Sequence, residues 1–291
     1  VELYRKCVAW QADIGDSHAR FRAALNNGDL STMQELLIEA RGPALWLTIN
    51  RPALRNAFNE QVVGLIATGI RQAQSSPEIR AIVLTGAGDR AFCAGGDLSA
   101  TATDAPFTVD PAHPRNFVIA LFKLMEDCEL PIIARVNGHA LAGGLGLMCA
   151  CDLVIAADHA TFGVPEARVG LFPMMIMPYL LRIIPLRRLM HMCMTGHPVA
   201  AAEALSLGLI NEAVPTAELD SRVHHLIDAI VHASPTAQRL GKHGLHAMRD
   251  MTIRQAWEFA ELMLPMMAST QDAREGFAAF REKRAPIWTG Q

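Results

Sequence analysis

Apolar residues along this chain fall into two kinds of run that take turns. Short, mainly apolar runs occur at 44–50, at 80–85 around Ala81-Ile82-Val83-Leu84, at 131–137 and at 153–156. Runs this short and apolar predict strands buried on both faces. Between them apolar residues recur at helical spacing. Val62, Val63, Leu65, Ile66 and Ile70 predict a helix over 59–74, and a second is expected over 115–127. A short helix is expected to begin inside the Gly143-Gly144 turn. Arg51-Pro52 and Ser75-Ser76-Pro77 close the elements before them. This order predicts an α/β fold of βαβ units with right-handed crossovers.

From about residue 173 helices dominate, with one short strand at 209–214, and the chain from Val223 onward reads as helical throughout. At the other end, Leu3, Cys7, Trp10 and Ile14, followed by Phe21 and Leu25, make a separate helical pattern that Asn26-Asn27-Gly28-Asp29 stops. The expected organisation is a helical N-terminal extension (1–35), a βαβ core (36–222) and a helical C-terminal region (223–291). Residues 99–114, with Pro106, Pro111 and Pro114, are expected to be mobile.

Composition removes several classes of function. With 291 residues, 51% of them hydrophobic, the chain can bury a sizeable core without disulfides or a structural metal. Lys and Arg number 26 against 29 Asp and Glu, so no basic field exists for nucleic acid or an anionic membrane. Six cysteines show no C-x-x-C pairing and several sit in apolar runs, which fits reduced, buried thiols of a cytoplasmic protein. Glu2, Arg5 and Lys6 are not followed by an apolar stretch, so no secretory leader is expected. The most apolar run, 141–157, is interrupted by Gly143, Gly144, Gly146 and Asp152 and is too short to span about 30 Å of hydrocarbon.

Familiar catalytic motifs are missing. There is no G-x-x-x-x-G-K-[ST], no G-x-S-x-G and no H-E-x-x-H, and Cys149 stands where a dinucleotide fingerprint needs its third glycine. The eleven histidines are scattered without metal-ligand spacing, so no metal is expected. Two glycine turns remain, each following a predicted strand: 91–98, with Gly95 and Gly96, and 138–144, with Gly143 and Gly144. Each leads toward a helix start, where unpaired N–H groups point outward, and two such groups converging would make an oxyanion hole. The same turns also suit tight βα connections with packing glycines. A lone carboxylate, Glu166, follows Pro165 in an otherwise apolar stretch, where burial should raise its pKa and suit it to proton transfer. It also suits an ordinary loop acid paired with Arg168.

These motifs, with Asn50-Arg51-Pro52, Arg55-Asn56-Ala57, Cys151-Asp152 and Phe162-Gly163-Val164-Pro165-Glu166, occur in the order of the enoyl-CoA hydratase/isomerase (crotonase) family, which the chain resembles from about Leu36 to its end. The resemblance implies a crotonase-like spiral of βαβ units with a C-terminal helical region that forms trimers, or hexamers as pairs of trimers. It implies an acyl-CoA thioester as substrate, with coenzyme A arriving as part of it and no separate cofactor. Gly96 and Gly143 would supply the oxyanion N–H groups and Glu166 the acid/base. Ala94, Gly96 and Leu98 would contact the adenine through their carbonyls. Arg55, Lys283 and Arg284 are candidate phosphate contacts, and Phe172 and Met174 would line the acyl pocket.

The chain departs from the family pattern at two positions. The first glutamate of many hydratases is replaced by Gly146, and the aspartate that some relatives carry eight residues after the Glu166 position is replaced by Met174. One acid remains. It can serve a hydratase-type lyase, or a Δ3,Δ2-enoyl-CoA isomerase that moves a proton between C2 and C4. The missing acid also leaves open a catalytically silent acyl-CoA-binding protein, whereas the RNA-binding role of some relatives gains nothing from the acidic charge balance.

Overall fold

The computed structural model of the chain describes residues 35–98 and 116–291. The expected N-terminal helices, with Cys7, and the 99–114 stretch expected to be mobile lie outside the described residues. Strands β1 (Leu36–Arg41) and β2 (Ala44–Ile49) form an antiparallel hairpin turned at Gly42-Pro43, with Gly42 at φ +55°. Next to β2, and parallel to it, run β3 (Ala81–Gly86), β5 (Ile132–Val136), β7 (Leu153–Ala157) and β10 (Glu212–Val214), giving a six-stranded sheet in the order β1-β2-β3-β5-β7-β10.

The mainly apolar runs have a direct cause. Ile82 and Leu84 of β3 point into one core, while Ala81 and Val83 point into another on the opposite face. Both faces are covered, so apolar residues dominate on each, and the buried Thr85 gives its hydroxyl to the Arg135 carbonyl. Helix α1 (Glu60–Ser75), started by Asn59 accepting from the Val62 N–H at 2.8 Å, buries Val62, Val63, Ile66 and Ile70 on the first face. Helix α7 (Leu219–His232) covers the second face with Leu219, Val223, Ile227 and Ile230 against Trp46, Val83 and Ile133. The boundary drawn at 222/223 thus falls inside α7, which packs on the sheet.

After β3, β5 and β7 the chain steps directly into a second, four-stranded sheet. Its strands are β4 (Ala91–Cys93), β6 (His139–Leu141), β8 (Thr161–Gly163) and β9 (Val199–Ala200), and the first three are parallel. Each turn of the chain therefore lays one strand in each sheet before a helix or loop leads to the next. Helix α2 (Phe117–Glu126), capped by Asn116, follows β4, and α3 (Gly143–Cys149) follows β6. The small sheet and β1 were not legible as strands. Three residues cannot display a period of two, and β1 is largely exposed.

Beyond β8 come α4 (Met177–Ile183), α5 (Leu186–Thr195) and α6 (Ala201–Ser206), then β10 and α7. The chain ends in α8 (Pro235–Met248), α9 (Ile253–Ala268) and α10 (Gln271–Glu282). The last residues fold back onto Asp272, which is 1% exposed and accepts from the Thr289 and Gly290 N–H groups and from the Ser234 hydroxyl. Among the described residues no helix is long and apolar enough to cross a membrane.

Candidate active site

The ends of β4, β6 and β8 open onto one cavity of about 600 Å³. After β4 the chain makes the first glycine turn, held from below by the segment that follows β2. The Phe58 N–H donates to the Gly95 carbonyl at 2.9 Å and the Asp97 N–H donates to the Phe58 carbonyl at 2.8 Å. That ladder uses the groups flanking Gly96 and leaves the N–H of Gly96 itself facing away from Phe58. Gly96 lines the cavity. Arg51 secures the same turn with a nearly buried ion pair to Asp97 (2.7 Å), while its guanidinium also donates to the Ala57 carbonyl. Asn56, 1% exposed, donates to the Ala87 and Ala91 carbonyls and accepts from the Arg51 N–H. Arg51, Asn56 and Asp97 are thus the staple of the site. Their motifs were visible in the sequence, but nothing there joined residues 41 to 46 positions apart.

The second turn follows β6. Ala142 sits at φ +51°, ψ −131°, a region costly for a residue with a Cβ. Its N–H donates to the Gly163 carbonyl, and its own carbonyl receives the Leu145 and Gly146 N–H groups that begin α3. The N–H of Gly143, the first residue of α3, has no acceptor among the described residues and lies on the cavity. The two turns touch. A Cβ on Gly95, which has φ +102°, would stand 2.9 Å from the Ala142 Cβ and 3.1 Å from the Gly143 nitrogen. The two candidate oxyanion amides therefore come from adjacent backbone at one wall.

Glu166 follows β8 on a single 3-10 turn (Pro165–Val169) opened by Pro165. Its Oε2 is buried without a hydrogen-bond partner, and it lines the same cavity. Burial raises its pKa above the ordinary carboxylate value, partly offset by a backbone hydrogen bond. No ion pair joins it to Arg168, whose side chain instead lies against Gly196. Cys193, buried behind it on α5, has its thiol pKa raised first by burial and then by the Glu166 charge.

Of the other residues singled out, Ala94, Leu98, Phe172 and Met174 line this cavity. Arg55, Lys283 and Arg284 do not. Arg55 is exposed in a left-handed conformation, and its carbonyl receives the Ala94 N–H. Lys283 ends α10 at φ +54°, and Arg284 is occupied by both oxygens of Glu275 and by Glu282. At the position where the resemblance would put a first glutamate, Gly146 is buried in α3. A Cβ there would overlap Cγ2 of Ile176 and stand 3.2 Å from the Phe122 ring. Hydrocarbon fills the place of that acid.

A family model described as enoyl-CoA hydratase/isomerase matches residues 41–291. The chain belongs to the enoyl-CoA hydratase/isomerase family. Carnitinyl-CoA dehydratase of Salmonella typhi is 32% identical over 270 residues, covering 89% of this chain and 99% of that protein. The same enzyme of Salmonella arizonae is 34% identical over 269 residues, covering 88% and 99%. Among solved structures, enoyl-CoA hydratase of Bacillus anthracis superposes with a TM-score of 0.81 at 28% identity, covering 89% of this chain and all of that one. A putative enoyl-CoA hydratase/isomerase of Mycobacterium abscessus gives 0.76 at 35%, with the same coverage. The two interleaved sheets are thus the crotonase fold, and the chain shares a family of acyl-CoA hydratases and dehydratases.

Proposed function

We propose that the protein is a hydratase-type lyase that adds water to, or removes it from, an acyl-CoA thioester, with Glu166 as its only acid/base. The observation that carries this reading is the buried, unpartnered Glu166 oxygen facing one cavity with the Gly96 and Gly143 amides. In dehydration, ionised Glu166 takes the proton from C2 and negative charge gathers on the thioester oxygen. The two N–H groups stabilise that enolate more than the ground state, which lowers the barrier. The C3–O bond then breaks, Glu166 returns its proton to the departing hydroxide, and water leaves. Hydration runs the same steps backward. The raised pKa fits a group that must both accept and donate. On this reading the adenine lies against the carbonyls of Ala94, Gly96 and Leu98, and the acyl group against Phe172 and Met174, all of which line the same cavity.

The named relatives favour water chemistry, but the same three positions would also serve an isomerase that returns the C2 proton to C4. Panels of 2-enoyl- and 3-enoyl-CoA distinguish the two: the lyase incorporates solvent oxygen, and double-bond migration without it overturns the lyase reading. Glu166→Gln should lower turnover by a factor of about 10² to 10⁴ while acyl-CoA still binds. Unchanged turnover removes Glu166 from the mechanism, and a wild type that binds acyl-CoA but turns over no panel member is a silent binder. We also propose a homotrimer or hexamer. Helix α9 has no fully buried residue and exposes Trp257, Leu262 and Leu264 by 64–71%, an apolar face suited to other copies.

A further inference from the structure

A second cleft, of about 290 Å³, lies between α2, the 175–182 stretch and the end of α8. Met175, a flexible thioether, is common to its lining and to that of the active-site cavity. Next to it Ile176 is 2% exposed and packs over Gly146 beside the Phe122 ring.

The two chambers differ in chemistry. The active-site cavity is lined mainly by apolar side chains. The cleft carries Lys123, Glu126, Tyr179, Arg182, Arg249 and Asp250 over a floor that includes Phe122, against which Tyr179 stands edge-on at 5.5 Å. Arg182 is satisfied by Asp250 at 3.0 Å and by the Pro178 carbonyl. Glu126 faces His246 at 3.4 Å. Among the described residues, neither the Lys123 ammonium nor the Arg249 guanidinium has an acid within ion-pair distance. Among the described residues, two cations without an ion-pair partner and a phenol hydroxyl thus share this cleft with Glu126 over an apolar floor. A hydrocarbon chain ending in a carboxylate matches that arrangement, whereas a quaternary ammonium or a second cation is repelled by it.

We propose that this cleft is an annex for the far end of the acyl group, reached past Met175, and that Lys123 and Arg249 select acyl chains ending in a carboxylate. The proposal rests on the acyl-CoA reading of the main cavity. It makes Met175 a length filter: short acyl groups end before it, and longer ones displace it.

The test separates binding from chemistry. Saturated acyl-CoAs of graded length, each with a methyl or a carboxylate terminus, are titrated into the full-length protein by calorimetry. Short pairs should bind equally. Beyond one chain length the carboxylate member should bind at least tenfold more tightly, with the advantage shrinking as salt rises. The Lys123→Glu/Arg249→Glu double variant should reverse that preference while the short pairs and the melting temperature stay as in wild type. Met175→Trp should weaken the long chains at least tenfold more than the short ones. Equal binding of the two termini at every length, or a preference that survives charge reversal, overturns the annex. Because saturated thioesters cannot react, a carboxylate preference without turnover on any enoyl-CoA would uphold the annex and sink the lyase reading alone.

Discussion

Gly95→Ala is the sharpest probe of the paired amides, because one methyl group presses on both turns. Gly95 holds φ +102°, a conformation that L side chains rarely adopt, and the new Cβ would lie 2.9 Å from the Ala142 Cβ and 3.1 Å from the Gly143 nitrogen. Neither neighbour is the end of a flexible side chain. Ala142 is already at positive φ and tied to the Gly163 carbonyl, so the backbone itself must yield. The conformational strain costs about 1–3 kcal/mol, and overpacking a filled site adds about 1–3 kcal/mol. Stability should fall by roughly 2–6 kcal/mol if the two act independently.

The effect on turnover is separate from that on folding. If one amide is displaced from the thioester oxygen, kcat should fall by about 10²- to 10³-fold. Gly42→Ala is the control. Its φ is +55° but nothing lies within 4 Å of the added carbon, so it should lose about 1 kcal/mol of stability and no activity. Both variants are measured by chemical denaturation and by loss of the enoyl thioester absorbance below the melting transition. A Gly95→Ala protein that melts early yet keeps wild-type kcat would refute the claim that these amides hold the reacting oxygen.

Other perturbations bear on the same architecture. Glu166→Gln should be more stable than wild type at neutral pH. The folded pKa is raised, so the cost of burying the charge is absent below the unfolded value and appears as pH rises through the folded one; denaturation series across pH 4–8 should show that dependence only in wild type. Asp272 has its pKa held at about 2 by the backbone and hydroxyl donors around it, so its contribution should be full above the unfolded value and fade as pH falls through about 2. Asp272→Ala leaves several buried donors unpaired, should cost about 2–4 kcal/mol, and should open the C-terminal residues to proteolysis. Asp97→Ala removes the nearly buried ion pair to Arg51 beneath the Gly96 turn and should cost about 3–5 kcal/mol together with most activity; retention of full kcat would show that the staple does not position the amide. Gly146→Glu alone should unfold or aggregate, whereas Gly146→Glu with Ile176→Gly should recover a native melting transition.

The inner strands of the large sheet (β2, β3, β5 and β7) and α1 were readable because burial on two faces leaves a mainly apolar run and burial on one face leaves a helical stripe. Val83 and Leu84, adjacent in sequence but in different cores, show the first case. The small sheet was not readable, since its strands hold two or three residues each and are defined by neighbours far along the chain. At the candidate site, Gly96, Gly143 and Glu166 stood out as residue types, and the structure places all three on one cavity. Asp97 looked like part of a turn until Arg51 was seen beneath it. The filling of the Gly146 site by Ile176 was equally hidden, because a glycine reads as open space until its neighbour is known.

That last pairing bears on how such proteins diversify. A carboxylate arriving at position 146 meets a methyl group already in its place, and shrinking residue 176 first leaves a hole in the core beside Phe122. Either order of substitution passes through a weakened intermediate. Positions 146 and 176 are therefore locked together: a second acid at this wall is reached only if both residues change.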